Sequence, residues 1–234
     1  MKTIKGIWRF SRVICYTFVC LFQAYTRFKH VDRKEKGRML RYYPTQVLKL
    51  AGVRCSYEGH VPELLHECGL TDTPPACLVL SNHVSWLDIF SLDSQLPSRF
   101  IAKAEIAKWP IFGLIAQQIG TLFINRSSKR AILRINDDIR GALCNCEAVT
   151  IFAEGTTTFG NELLPIKANF IAPACEIGAT VQPVILSYKN KGKPTKQAAF
   201  SGDVTLFGSL WNVVTMEDAE VVVHFLEPIT NTKD

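Results

Sequence analysis

The sequence predicts a single α/β domain, a mixed β-sheet flanked by helices, behind an N-terminal helical segment. From Val53 onward, short apolar runs alternate with stretches of helical periodicity. Before Val53 lie two segments that mix apolar and basic residues. The 234 residues are 47% hydrophobic and 21% charged, enough apolar material for one substantial core. That composition excludes disorder and coiled coil as the main state. Residues 1–50 are read as N-terminal basic and apolar helices and residues 51–234 as the α/β domain.

Charge separates the two parts. Residues 1–50 carry 12 Lys and Arg against Asp32 and Glu35, a net of +10, whereas the remaining 184 residues sum to −4. A uniformly basic domain would point to nucleic acid. A basic leader on a mildly acidic body points instead to an anionic membrane surface, and nucleic acid is not an expected partner. Within the leader, Val13 to Thr26 is uncharged and flanked by Arg9, Arg12, Arg27 and Lys29. Fourteen helical residues rise about 21 Å, short of the ~30 Å hydrocarbon core. The expectation is a monotopic helix dipping into the interface. One short transmembrane helix is the alternative, and it would require Arg9 and Arg12 to snorkel. A second amphipathic helix is expected over Glu35 to Leu50, bent at Pro44.

In the body, the runs 77–80, 121–124, 149–152, 181–186 and 220–226 read as strands. Ser85 to Gln95, Pro110 to Ile119 and Ser128 to Cys144 suit crossover helices. The polar run Lys189 to Lys196 reads as a solvated loop. Eight cysteines in a chain too long to need covalent staples are expected to be reduced thiols on the cytoplasmic side. The groupings Cys144–Cys146 and His66–Cys68 lack the spacing of a zinc site, so no metal is expected.

The chemistry concentrates between Cys77 and Phe90, where a strand runs into Ser81-Asn82-His83 and a helix begins near Ser85. Five residues along one helix turn through about 500°, which would leave His83 and Asp88 on different faces. His83 must therefore precede the helix. With Asp88 in the first turn, an imidazole N–H can meet the carboxylate, fixing the tautomer and freeing the other nitrogen as a general base. Ser85-x-x-Asp88 also reads as a helix N-terminal cap, a role that needs no catalysis. No G-x-S-x-G elbow, P-loop or Rossmann glycine pattern is present. A His-Asp pair without its own serine suggests a hydroxyl nucleophile brought by the substrate.

Asn82-His83-x4-Asp88, together with Phe152-Ala-Glu154-Gly155-Thr156, resembles the bacterial 1-acyl-sn-glycerol-3-phosphate acyltransferase family, which carries NH-x4-D and F-P-E-G-T motifs. Lys103, Phe112-Gly113 and the stretch Gly120 to Arg126 resemble its second block, and Val181-Gln-Pro183-Val184 its fourth. Ala153 stands where the family usually has proline, and Thr157 where many members have arginine or another polar residue.

The resemblance implies a glycerolipid acyltransferase-like fold. It implies acyl transfer from coenzyme A or acyl carrier protein to the sn-2 hydroxyl of lysophosphatidic acid, giving phosphatidic acid. His83 would be the base and Asp88 its orienter. Arg126, Glu154, Gly155, Thr156 and Lys103 would bind substrate, with Arg126 a fork on the acceptor phosphate. No cofactor is implied beyond the acyl thioester as co-substrate. The implied partners are membrane lipids and a lysophospholipid, and the implied location is the cytoplasmic face of the inner membrane. Another acceptor such as lyso-ornithine lipid, a non-catalytic lipid-binding module and a hydrolase remain as alternatives.

Overall fold

Val, Ile and Leu dominate the strand segments, and the most apolar of them occupy the middle of an eight-stranded sheet. The computed structural model describes residues 2–59, 77–125 and 128–230. Arg126, His66 and Cys68 therefore lie outside the described residues. The N-terminal helices are α1 (Lys2–Thr26) and α2 (Arg33–Ala51). The strands are β1 (Val53–Gly59), β2 (Cys77–Ser81), β3 (Arg99–Lys103), β4 (Leu122–Ile124), β5 (Ala148–Phe152), β6 (Thr180–Asn190), β7 (Lys193–Pro194) and β8 (Ala219–Phe225). Between them lie α3 (Leu87–Asp93), α4 (Phe112–Gln118), α5 (Lys129–Cys144), α6 (Ala172–Ile177) and α7 (Leu206–Val214).

The strand order is β1-β8-β6-β2-β5-β3-β4, with β7 paired to β6. Strands β6, β2, β5, β3 and β4 run parallel to one another, while β8 is antiparallel to β6 and parallel to β1. The sheet is mixed, as the sequence predicts. Central β2 and β5 are buried along nearly their whole length, which requires helices on both faces. Side chains alternate between two cores accordingly. Cys77 and Val79 face a cluster with Leu87, Leu92, Val213 and Val47, whereas Leu78 faces one with Ile135, Ile139, Leu143 and Ala174. The chain is thus a mixed α/β domain whose mainly parallel sheet is covered by helices.

Three elements differ from expectation. Edge strand β1 and strand β3 have half-exposed patterns rather than continuous apolar runs. The run 189–196 is not a featureless loop but a hairpin. Lys191 and Gly192 have φ of 54° and 72°, the two positive values a tight two-residue turn requires, and Asn190 pairs with Lys193 across it. The expected second helix is present as α2, which runs through Pro44 to Ala51 and is started by the Asp32 side chain accepting from the Glu35 amide at 2.8 Å.

Helix α1 is also longer than the uncharged run, because the charge that argued against extension turns inward. Arg9 is buried, and its Nη1 donates to the Val214 and Met216 carbonyls at 3.1 and 2.9 Å, at the C-terminal end of α7. A cation there satisfies carbonyls left open by the helix end. Val13 joins Val47, Leu48 and Ala51 in the core shared with the sheet. The opposite face of α1 exposes Ile4, Ile7, Trp8, Phe18, Val19, Phe22 and Tyr25, each 42–74% exposed. Among the described residues, no helix is long and apolar enough to cross a membrane.

Candidate active site

The parallel strands end together along one edge of the sheet. Ser81 is level with Phe152 and Val184, and Lys103 with Ile124. The segments leaving these strand ends carry His83, Glu154 and Lys103 to that edge, where open α/β sheets place their ligand crevices. Asn82 extends the β2–β6 pairing with its side chain. Its Oδ1 accepts from the Leu186 amide at 2.7 Å, and its Nδ2 donates to the Leu186 carbonyl at 3.0 Å.

His83 precedes α3, as the five-residue spacing demands, and Asp88 lies in the first turn. His83 Nδ1 and Asp88 Oδ2 are 2.8 Å apart. The same oxygen accepts from the Val84 and Ser85 amides at 2.7 and 2.9 Å. An ionised carboxylate can only accept, so the imidazole proton sits on Nδ1 and Nε2 keeps its lone pair. Asp88 is fully buried and His83 retains 20% side-chain exposure. The imidazole lies flat against Phe152, with ring centroids 3.8 Å apart and planes 8° from parallel. The residue before α3 is Trp86, which caps nothing with its side chain, so the expected Ser85 cap is replaced by the Asp88 carboxylate reaching back to the Val84 and Ser85 amides while it also pairs with His83.

Glu154 departs from the expected ligand contact. It is 3% exposed, and its Oε1 accepts from the His83 amide at 2.9 Å while Oε2 accepts from the Leu164 amide at 3.0 Å. Both oxygens are engaged within the chain, so the carboxylate braces the backbone of His83. Gly155 follows with φ of 73°, turning the chain where a side chain would be strained. The Thr158 amide then donates to the His83 carbonyl at 2.8 Å. Thr157 Oγ1 donates to the Phe200 carbonyl, and the Phe200 amide donates to the Val84 carbonyl at 2.8 Å. Thr156 and Lys103 are exposed at the same edge. The structure therefore brings His83, Asp88 and Glu154 into one bonded unit, while Thr156 and Lys103 are exposed and outside it.

Tyr188, absent from the sequence reading, completes the unit. Its phenol O–H donates to Asp88 Oδ1 from strand β6. Burial, and secondarily the charge of Asp88, push the phenol well above its ordinary pKa, so it remains a donor. A contact spanning 100 residues leaves no local sequence signal.

The acyltransferase family model matches residues 62–187, more than half of the chain. The chain belongs to the acyltransferase family. Among curated acyltransferases, the 1-acyl-sn-glycerol-3-phosphate acyltransferase of Neisseria gonorrhoeae is 42% identical over 154 residues, covering 65% of this chain and 60% of that protein. The lyso-ornithine lipid O-acyltransferase of Pseudomonas aeruginosa is 41% identical over 152 residues, covering 65% and 58%. That of Brucella abortus is 32% identical over 213 residues, covering 85% and 76%. The alignments thus span about 60% of the first two acyltransferases. The crystal structure of the 1-acyl-sn-glycerophosphate (LPA) acyltransferase PlsC from Thermotoga maritima superposes with a TM-score of 0.68 at 18% identity, covering 100% of this chain and 89% of that one. At that identity the likeness shows a shared acyltransferase fold.

Proposed function

We propose that this acyltransferase moves a fatty acyl group from a thioester of coenzyme A or acyl carrier protein to the sn-2 hydroxyl of lysophosphatidic acid, forming phosphatidic acid. The observation that carries this reading is the His83–Asp88 pair, with Nδ1 occupied and Nε2 free. A hydroxyl is a poor nucleophile at neutral pH. Nε2 takes its proton as the oxygen attacks the thioester carbonyl, and the imidazolium returns that proton to the departing thiolate when the tetrahedral intermediate collapses. The buried Asp88 carboxylate stabilises the transient imidazolium. The thioester is already activated, so no further cofactor is required. Lys103 and Arg126 are assigned to the acceptor phosphate, and Gly155 and Thr156 to its glycerol end. Glu154 is assigned to holding the turn of His83.

The exposed face of α1, bordered by Lys5, Arg12 and Lys29, is assigned to the cytoplasmic surface of an anionic membrane, where acceptor and product reside. The relatives named for lyso-ornithine lipid support a second reading, in which that lipid is the acceptor. It differs in having no phosphate for Lys103 to meet.

The test supplies the protein in mixed micelles with a labelled acyl thioester and, separately, lysophosphatidate or lyso-ornithine lipid. Two-chain product from lysophosphatidate, lost in His83→Ala, is the expected result, with a fall of about a hundredfold to ten-thousandfold for removal of the general base. Product from lyso-ornithine lipid alone would replace the acceptor. Equal transfer by His83→Ala would overturn the mechanism.

A further inference from the structure

We propose that Tyr188 is a positioning residue for the His83–Asp88 pair, its phenol O–H locking the orientation of the Asp88 carboxylate so that His83 keeps its proton on Nδ1. The inference rests on the reading of His83 as the general base. It starts from the surroundings of Asp88, which is 0% exposed and so receives no help from bulk water. Oδ2 takes three donors, from His83 Nδ1 and the Val84 and Ser85 amides. Oδ1 takes the Tyr188 phenol. Without that donor a fully buried carboxylate oxygen would lose its phenol partner, and a buried polar atom left without a partner is costly.

Tyr188 is itself held rigidly. It is 5% exposed, pairs with Val221 of β8, and its carbonyl accepts from the Thr195 amide at 3.0 Å. A donor fixed by a sheet is a precise support for a side chain on a helix only seven residues long. Among the described residues, the titratable groups from other elements against the unit are Glu154 after β5, bound to two amides, and Cys55 of β1, beside Tyr188. Burial pushes the Cys55 thiol above its ordinary pKa, so it adds no charge at neutral pH. Among the described residues, Tyr188 is therefore the side chain from outside the His83–Asp88 segment that donates a hydrogen bond to the carboxylate.

The sign of the effect follows. Removing a donor makes the carboxylate more basic, so the pair as a whole binds its proton more tightly. General-base catalysis requires the pair without that extra proton. In Tyr188→Phe the acidic limb of the pH–rate profile should move up by about half to one pH unit, and kcat should fall about tenfold for loss of one hydrogen bond to a charged group. KM for the lysolipid should stay within about twofold, because Tyr188 touches no substrate.

In an Asp88→Asn background the same change should cost no further activity, since Tyr188 acts through Asp88. Tyr188→3-fluorotyrosine, a stronger donor of nearly the same shape, should move the limb down and tests the idea independently of any folding defect in the Phe variant. The ring-nitrogen NMR titration of His83 should move the same way as the limb without any turnover. If the protein acylates no lysolipid, the functional reading fails while this titration still decides the role of Tyr188. An unmoved titration and acidic limb in both variants, with only a lower melting temperature, would make Tyr188 a packing residue and overturn the proposal.

Discussion

Asp88 and Asp93 lie five residues apart on one short helix, both buried, and meet opposite conditions. Four donors surround Asp88, and the arrangement makes it the anchor of His83. Asp93 accepts from the Ser98 amide at 3.0 Å, and burial pushes its carboxyl well above the usual range. A carboxyl that keeps its proton in the folded state above the pH at which the unfolded chain releases it binds more protons folded than unfolded. Its contribution to stability is then fully present below the unfolded value of about 3.9 and is lost as pH rises toward the folded value. Asn has the same shape, accepts from the Ser98 amide through Oδ1, and does not titrate. Asp93→Asn should therefore gain in melting temperature relative to the wild type between pH 4 and pH 8. Thermal unfolding of both proteins at the two pH values measures this, and a difference independent of pH would contradict it.

At the scale of elements, α1 is held to the domain by a buried cation as much as by apolar contact. Arg9→Met keeps the stem that packs against α7 but removes the donors to the Val214 and Met216 carbonyls. Charge-assisted hydrogen bonds contribute about 1.5–3 kcal/mol each, so a loss of about that size is expected in denaturant unfolding, with faster hydrogen exchange in α1. Unchanged stability and exchange would show that Phe10, packed between Phe207 and Trp211, is enough.

The same helix shows where sequence reading ends. Its apolar run was legible from Val13, but the extension back to Lys2 depended on carbonyls more than 200 residues away. Strands β2, β5, β6 and β8 were legible because burial on both faces demands continuous apolar runs. Half-exposed β1 hides its Val53, Cys55 and Tyr57 alternation among polar neighbours. In the site, the five-residue spacing was sufficient to pair His83 with Asp88. The inward direction of Glu154 and the arrival of Tyr188 depend on strand order, which no local pattern encodes.

For the whole molecule, the two faces of α1 make opposite demands. The inner face is part of the domain core through Val13, so the outer stripe of Ile4, Trp8, Phe18 and Phe22 must meet either water or an apolar phase. Exposed apolar side chains on one helix face, interrupted by Ser11 and Cys15 and flanked by Lys5, Arg12 and Lys29, fit the proposed bilayer interface, where the rings would enter the acyl boundary and the cations would meet headgroups. A Phe side chain moved from water contributes about 1.5–3 kcal/mol. Phe18→Asp with Phe22→Asp should weaken partition onto phosphatidylglycerol-containing vesicles by about a hundredfold or more, read by co-sedimentation. Neither position touches His83, so transfer to a short-chain, monomeric lysolipid should stay near the wild-type rate while transfer to acceptor embedded in vesicles falls in step with binding. Equal loss on both acceptors would mean that α1 supports the catalytic fold, whereas undiminished vesicle binding would place the membrane contact on another face.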